Sequence, residues 1–262
     1  MTAPETPALD TVRRDALAQL LLATADDEFV IGFWDSEWTG IAPMLEEDVA
    51  TSSISQDEIG HARALYELLA ELTGQDADEI AFGRQPEAYR HAALMNHART
   101  DWAFTVARRY LYETADTVRL EALARSSYEP LAQLAAKMRR EERYHLMHLD
   151  TWLRRLAGSD GARERLADAL RTLWADALAV FSPVPGEEVL VRGGELPEPM
   201  ATLRTRWLEQ ISPVLAGLGL PGPTADDLAA GAEDGRTRRT DAFRWLHGEF
   251  TMVAASERGA TW

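Results

Sequence analysis

Two copies of the pattern Glu-x-x-His constrain this chain more than any other feature of its sequence. The first copy runs from Glu58 to His61, and the second runs from Glu142 to His145, 84 residues later. Because residues three apart on an α-helix share a face, each copy can direct a carboxylate and an imidazole at one point. A single copy is usually a solvated charge pair. Two copies on separate helices of a bundle are the ligand pattern of di-iron and di-manganese carboxylate proteins.

Both copies lie in segments whose apolar residues recur with the period of an α-helix, and no segment shows the sustained alternation of a strand. The expected fold class is therefore all-α, in one domain with a core bundle at about 11–157 and a helical extension at about 158–262. A spacer at 184–197 leaves room for a short extended segment. Helices are predicted at about 10–38, 44–72, 86–125 with a break near Thr100, 130–156, 161–181, 199–218 and 239–255.

Residues 11–73 and 100–157 form two long helical hairpins in this prediction, each with Glu-x-x-His in its second arm. In an antiparallel hairpin, residues equidistant from the turn lie at the same height, since both arms rise about 1.5 Å per residue. The second hairpin turns near Tyr128, which places Glu113 level with Glu142 at a separation of 29 residues. A di-metal bundle needs one such carboxylate from each of its other two helices.

The first hairpin turns near Ala42, and the same geometry places Glu28 level with Glu58 at a separation of 30 residues. Glu37 is a weaker alternative, because it lies only five residues from the turn. Hard oxygen ligands with one nitrogen per metal suit two Fe(II) ions, or Mn(II) in their place. The predicted metal ligands and catalytic residues are four carboxylates and two imidazoles: Glu28, Glu58, His61, Glu113, Glu142 and His145.

Other polar and aromatic residues receive lesser roles in this prediction. Three acids are candidates for accepting a hydrogen bond from a ligand histidine: Asp57, Glu141 and Asp116. Four histidines are expected to be structural or to lie around the site: His91, His97, His148 and His247. One or two tyrosines have room beside the metals, while the aromatic side chains in general are expected in the core or in interfaces.

The chain has a net charge of −16 and no cysteine. Its acidic surface would repel nucleic acids and anionic membranes, and no run of about 20 apolar residues is long enough to span a bilayer. The first ten residues lack the pattern of a signal peptide, so a cytoplasmic protein is expected. Without cysteine the chain cannot hold an iron–sulfur cluster, and electrons would have to come from a separate reductase.

Several segments resemble the C-type subunit of the phenylacetyl-CoA 1,2-epoxidase family, and the similarity extends over nearly the whole chain. These segments are SEW (36–38), PMLEEDVA (43–50), RYHL (143–146), WLRRL (152–156), GRTRRTD (235–241) and Trp262. The resemblance implies a ferritin-like four-helix bundle with additional C-terminal helices. It also implies a component of a multicomponent bacterial monooxygenase of aerobic phenylacetate catabolism, alongside a sister subunit, small subunits and a flavin/iron–sulfur reductase.

The resemblance implies that the di-iron site and the binding of the CoA thioester belong to the A-type sister subunit. The C-type subunit is its structural partner and generally lacks the full ligand set. This chain departs from the C-type pattern, because Glu28, Glu58 and His61 stand where that subunit has non-ligating residues. Residues 56–61 (QDEIGH) resemble the A-type motif instead. The chain is therefore expected to be either a C-type subunit that kept a metal centre or an oxygenase in its own right.

The expected function is activation of dioxygen at a di-iron centre and oxygenation of an aromatic acyl-CoA-like substrate. One alternative is a non-catalytic subunit that supports a catalytic sister, and another is an iron-binding, ferroxidase-like protein. Arg236, Arg238 and Arg239 form the one obvious basic group, which is a candidate for contact with a CoA phosphate or with another subunit. Apolar helical faces and eight tryptophans indicate a homo- or hetero-oligomer.

Overall fold

The computed structural model describes residues 9–230 and 235–256, and within these residues it contains helices, 3-10 turns and loops but no strand. The predicted all-α fold class is therefore confirmed, and the arrangement is that of a ferritin-like bundle. The α-helices of the described residues are α1 (Thr11–Ser36), α2 (Leu45–Thr73), α3 (Ala77–Phe82), α4 (Trp102–Leu123), α5 (Glu129–Ala157), α6 (Asp160–Ala177), α7 (Glu187–Gly193), α8 (Met200–Gly217), α9 (Ala225–Ala230) and α10 (Asp241–Ser256).

Helices α1 and α2 form one hairpin and helices α4 and α5 form the other, and their ends follow the sequence signals. Asp10 caps α1 by accepting a hydrogen bond from the backbone of Arg13 at 2.9 Å, and Asp101 caps α4 in the same way. Helix α2 ends at Gly74, whose φ of 76° lies in the left-handed region that favours glycine. The turns of the two hairpins lie at residues 37–44 and 124–128, near the positions that the sequence predicts.

Helix packing directs the two Glu-x-x-His motifs into the bundle. Helix α5 buries one stripe of residues, spaced three or four apart, that includes Leu131, Met138, Glu142, His145 and Leu149. Such a stripe is the core-facing side of an amphipathic helix. The second motif therefore points inward because it shares this stripe with the apolar residues.

Gly32 allows α1 and α2 to approach each other closely beside the first motif. A Cβ atom at this position would lie 2.9 Å from the side chain of Ile59 and 3.0 Å from Cβ of Glu58. The hydroxyl of Ser55 donates to the carbonyl of Gly32 at 2.8 Å, across the same gap. The absence of a side chain at position 32 thus sets the distance between the two arms at this height.

Helix α1 also carries two buried aspartates that are fully paired. Each carboxylate oxygen of Asp26 and Asp27 accepts hydrogen bonds, and the donors are Tyr66, Arg84, Arg119, Arg236 and the backbone of Arg90 and Ala92. We call Asp26, Asp27 and the three arginines the aspartate network. Buried carboxylates are tolerated when donors and opposite charges surround them in this way.

Two segments differ from the prediction. The expected helix over residues 86–101 is replaced by 3-10 turns at Pro86–Ala88 and Ala93–Asn96. Between these turns, the backbone N–H groups of Arg90 and Ala92 donate to Asp26 and Asp27 instead of to a helix. The spacer at 184–197 contains helix α7 instead of an extended segment. That helix lies between Gly186 and Gly194, which both have φ of 82° and break the chain direction at its two ends.

The expected contact of the basic run at 235–241 with a phosphate or another subunit is wrong for Arg236 and Arg239, which are buried, and it stays a prediction for Arg238. Arg236 is buried and its guanidinium binds Asp27 with two contacts of 3.0 Å, and Arg239 is buried against the carbonyls of Tyr89 and Arg236. Arg238 is exposed and pairs with Asp176 at 2.5 Å. The run therefore fastens the C-terminal extension to the bundle.

The buried apolar core is continuous from the bundle into the C-terminal helices. The single domain and its division at about residue 157 both stay predictions. Within residues 9–230 and 235–256, no helix is long and apolar enough to cross a membrane. The expected absence of a signal peptide rests mainly on residues 1–8, and one part of the family resemblance rests on Trp262. Both lie outside the described residues.

Candidate metal centre

Six side chains from four helices meet inside the bundle, and they are the six that the sequence predicts to be metal ligands. Helices α1 and α4 contribute one glutamate each, and helices α2 and α5 contribute a glutamate and a histidine each. All six residues are at most 3% exposed. Glu37, the weaker alternative, instead lies 3.5 Å from Arg99. We call the group the ligand cluster: Glu28, Glu58, His61, Glu113, Glu142 and His145.

The ligand cluster forms two overlapping sets of four residues, which share Glu58 and Glu142, and the donor atoms of each set lie within 4.8 Å of one another. We call the space between the donor atoms of each set a metal position and name it after its histidine, as the His61 position and the His145 position. In the His61 position, Nδ1 of His61 faces Glu142 Oε1 at 3.2 Å, Glu28 Oε2 at 3.4 Å and Glu58 Oε2 at 3.9 Å. In the His145 position, Nδ1 of His145 faces Glu142 Oε2 at 3.3 Å, Glu58 Oε1 at 3.5 Å and Glu113 Oε1 at 3.8 Å. Glu58 and Glu142 thus present one oxygen to each position, as bridging carboxylates do.

Each imidazole is held from outside by an acid that precedes the glutamate of the other motif. Nε2 of His61 lies 2.8 Å from Glu141 Oε2, and Nε2 of His145 lies 3.2 Å from Asp57 Oδ2. These contacts leave both Nδ1 atoms directed into the cluster, where a metal would need them. The sequence-based expectation for Asp57 and Glu141 matches this geometry. The same expectation for Asp116 is wrong, because that carboxylate pairs with Arg119.

Several donor atoms of the cluster have no hydrogen-bond partner among the described residues. They are Glu58 Oε2, Glu113 Oε2, both carboxylate oxygens of Glu142, and Nδ1 of His145. A buried polar atom left in this way costs about 1–3 kcal/mol, more when it is charged. A bound cation would remove this cost, and carboxylate oxygens with one nitrogen per position suit Fe(II) or Mn(II). The residues present therefore fit a pair of hard divalent metal ions.

One arginine reaches into the cluster, and the sequence analysis did not identify it. Arg109 donates through Nη2 to Oε1 of Glu58 at 2.7 Å and to Oε1 of Glu113, and its Nε lies 3.2 Å from Oδ2 of Asp35. Arg109 is buried and lies one helical turn before Glu113 on the same face of α4. That spacing of four residues is the sequence signal that could have indicated the contact.

Burial changes the protonation of the ligand cluster. It raises the pKa of Glu28 well above its ordinary value, and it raises that of Glu113 against the lowering effect of Arg109. Burial disfavours the charged ring of His61, yet the contacts with Glu142 and Glu28 raise its pKa to about 12. Protons therefore balance part of the carboxylate charge, and metal binding has to displace them.

A tyrosine joins the ligand cluster to the aspartate network. The hydroxyl of Tyr112 donates to Oε1 of Glu28 at 2.5 Å and accepts from Nη2 of Arg119 at 3.1 Å. Tyr112 therefore lies beside the ligand cluster, where the sequence leaves room for one or two tyrosines. Tyr144 does not, since it is 69% exposed.

The remaining histidines lie outside the ligand cluster, in agreement with their expected structural roles. His148 faces Glu47 at 3.1 Å, and His97 pairs with Asp176 at 2.7 Å. The other two, His91 and His247, contact Asn96 and the carbonyl of Arg84, respectively. Each is held by a neighbour, and within the described part of the chain none of them belongs to a group of acids and histidines close enough to hold a metal.

Comparisons with known proteins point to one family. The model of the family described as "Phenylacetic acid catabolic protein" matches residues 1–262. The C-type subunit of 1,2-phenylacetyl-CoA epoxidase from Escherichia coli (strain K12) is 31% identical over 197 residues, covering 74% of this chain and 79% of that protein. The A-type subunit of the same epoxidase is 28% identical over 171 residues, covering 65% of this chain and 55% of that protein. The chain is thus similar to both kinds of subunit.

Proposed function

The chain belongs to the phenylacetic acid catabolic protein family, and from this premise we propose that it is the di-iron component of a multicomponent monooxygenase of the phenylacetyl-CoA epoxidase type. In this role it oxygenates an aromatic acyl-CoA-like substrate. The observation that carries the proposal is the ligand cluster, in which six buried donors form two positions with shared glutamates and unpaired donor atoms. Similarity alone would leave open whether this chain or a sister subunit holds the metal.

The residues of the chain divide the work of such a centre among them. Glu58 and Glu142, which belong to both positions, would help to hold both metal ions, and one further glutamate and one histidine would complete each position. Glu141 and Asp57 orient the two imidazoles from outside. Two iron ions bound there would supply the activation of dioxygen. Because the chain has no cysteine, we assign the supply of electrons to a separate reductase.

A structural role beside a catalytic sister is the second candidate, and one observation favours it. The match with the C-type subunit of the epoxidase has the higher identity and the longer alignment. Both candidates place the chain in a complex with a sister subunit, since the relatives are subunits of one epoxidase. The cytoplasmic location expected from the sequence stays a prediction.

The experiment that tests the metal centre is iron analysis of anaerobically reconstituted protein, combined with anomalous diffraction at the iron edge. We expect two iron ions per chain, and two anomalous peaks between α1, α2, α4 and α5. Glu58→Ala and His61→Ala should each lose bound iron, whereas Glu37→Ala is the matched control and should keep it. Unchanged iron content in Glu58→Ala and His61→Ala would contradict the proposed ligands.

A complex reconstituted from this chain, the reductase and the sister subunit separates the two candidate roles. If this chain is the catalyst, His61→Ala should abolish formation of the oxygenated thioester while the complex still assembles. Full activity of a complex that contains His61→Ala would assign catalysis to the sister and leave this chain its structural role. Size-exclusion chromatography checks that the variant assembles.

A further inference from the structure

Arg109 distinguishes the two metal positions of the ligand cluster. Its Nη2 atom donates to Oε1 of Glu58 at 2.7 Å and to Oε1 of Glu113. These two oxygens are the ones that face Nδ1 of His145, at 3.5 and 3.8 Å. The guanidinium therefore shares two of the donor atoms that a metal ion in the His145 position would need.

The His61 position is free of this competition. Arg109 contacts Oε1 of Glu58, whereas the oxygen that faces His61 is Oε2 of the same side chain. Neither this Oε2 atom nor Oε1 of Glu142 has a hydrogen-bond partner within the described part of the chain. A cation entering the His61 position thus meets Oε2 of Glu58 and Oε1 of Glu142, which no arginine holds, while one entering the His145 position meets two oxygens already bound to Arg109.

We propose that Arg109 makes metal loading sequential, so that the first ion binds in the His61 position and the second binds more weakly in the His145 position. The second ion is weaker because it has to displace the guanidinium from Glu58 and Glu113. This inference rests on the proposed metal centre and adds to it an order of loading. Arg109 acts here as a positioning residue through its contacts with the ligand carboxylates.

Asp35 provides the group to which the guanidinium withdraws. Its carboxylate is buried, and its Oδ2 lies 3.2 Å from Nε of Arg109. Among the described residues, neither oxygen of Asp35 has a partner with full hydrogen-bond geometry, and the same holds for Nη1 of Arg109. The arginine can therefore keep an opposite charge beside it after Nη2 releases the two glutamates, which a buried cation requires.

The test is a titration of metal-free protein with Mn²⁺ alone, followed by electron paramagnetic resonance. A hydrogen bond between charged groups corresponds to about 10- to 100-fold in a binding constant. We therefore expect the second Mn²⁺ to bind about 10- to 100-fold more weakly than the first. The first equivalent should give the spectrum of an isolated ion, and a spin-coupled pair should appear only with the second.

Variants separate the effect of Arg109 from the mutual repulsion of two cations. Arg109→Gln should lower the ratio of the two binding constants at least about tenfold relative to wild type, whereas Arg109→Lys keeps a cation and should largely preserve that ratio. Arg108→Gln is the matched control. Arg108 is the neighbouring buried cation on α4, but it donates to the carbonyl of His97 at 2.9 Å and stacks on Trp34. Its loss should leave the ratio unchanged.

The order of loading gives a second test that does not depend on the Arg109 variants. His61→Ala should weaken binding of the first Mn²⁺, and His145→Ala should leave it close to the wild-type value. Equal dependence on the two histidines, or an unchanged ratio in folded Arg109→Gln, overturns the inference while the metal centre stands. Binding of no Mn²⁺ by the wild-type protein overturns the metal centre and the inference together.

Discussion

Helix α1 contributes residues to two neighbouring buried groups of charged side chains, and the charges of the two groups are balanced in opposite ways. In the aspartate network, every carboxylate oxygen accepts hydrogen bonds and three arginines supply opposite charge. In the ligand cluster, Arg109 contacts only two of the four carboxylates, and several donor atoms have no hydrogen-bond partner among the described residues. The carboxylates of both groups are almost completely buried. Complete pairing indicates a structural role, and incomplete pairing indicates a place for a cation from outside.

The largest expected effect on stability comes from a substitution in the aspartate network, whose carboxylates are fully paired. Asp27→Asn removes the charge that binds Arg119 at 2.6 Å and Arg236 at 3.0 Å, and both guanidinium groups would stay buried. Removing one partner of a buried ion pair typically costs about 3–5 kcal/mol. We expect the free energy of unfolding, measured by urea denaturation with chelator present, to fall by about that amount.

The control for this prediction is Asp168→Asn, at a pair with Arg171 that is mostly exposed. Its loss should cost less than about 1 kcal/mol, as is usual for surface pairs. Equal losses in the two variants would show that the aspartate network is no more structural than a surface pair.

The second largest expected effect is the stabilisation of the protein by metal ions that bind in the incompletely paired ligand cluster. A ligand that binds only the folded protein at a concentration of 100 times its Kd adds about 2.7 kcal/mol to the free energy of unfolding. For a chain of this size, Mn²⁺ at that level should raise Tm by about 5–10 °C. Removing the metal with chelator should reverse the shift, which calorimetry can follow.

Glu28→Gln should reduce this metal-dependent shift without a matching loss in metal-free protein. Burial raises the pKa of Glu28 well above its ordinary value, so an amide at this position costs the metal-free protein less than it would in place of an ordinary glutamate. We expect the metal-free Tm to change by only a few degrees, corresponding to about 1 kcal/mol or less. Glu37→Gln should keep the full shift. A large metal-free loss in Glu28→Gln would assign this residue to structure.

The contrast between the two groups also explains what the sequence could and could not predict. The rise of a helix is regular, so counting residues from each turn placed Glu28 and Glu113 at the height of the two motifs. No comparable regularity predicts which residues pair across 209 residues of sequence, as Asp27 and Arg236 do. The same limit explains why the prediction for residues 86–101 was wrong. The backbone N–H groups of Arg90 and Ala92 in this segment donate to Asp26 and Asp27. Local periodicity carries no information about such distant acceptors.

Arg109 shows a subtler limit. Its spacing of four residues from Glu113 permits contact on one helix face, but a long side chain on a buried helix has several directions available. Only the packed structure shows that Asp35 and Glu58, both from the other hairpin, attract it into the cluster. The sequence therefore predicted the six residues that meet in the cluster, but it missed the arginine that makes the two halves of the cluster unequal.

The smallest expected effect on metal binding comes from Tyr112, where the two groups touch. Tyr112→Phe keeps the ring and removes the hydroxyl that donates to Glu28 at 2.5 Å. One such hydrogen bond contributes about 1–2 kcal/mol, and the free energy of unfolding of metal-free protein should fall by that amount. Because the hydroxyl also holds Oε1 of Glu28 and thereby directs Oε2 toward His61, the first Mn²⁺ should bind somewhat more weakly, by less than about tenfold.

Tyr89→Phe is the matched control, since its buried hydroxyl donates at 2.5 Å to the carbonyl of Ala81, away from the ligand cluster. It should lose similar stability and keep the wild-type affinity for Mn²⁺. Equal affinities in Tyr112→Phe and Tyr89→Phe would mean that the aspartate network and the ligand cluster are independent neighbours. A loss in Tyr112→Phe alone would mean that the fully paired group helps to position a ligand of the incompletely paired one, through a single hydroxyl.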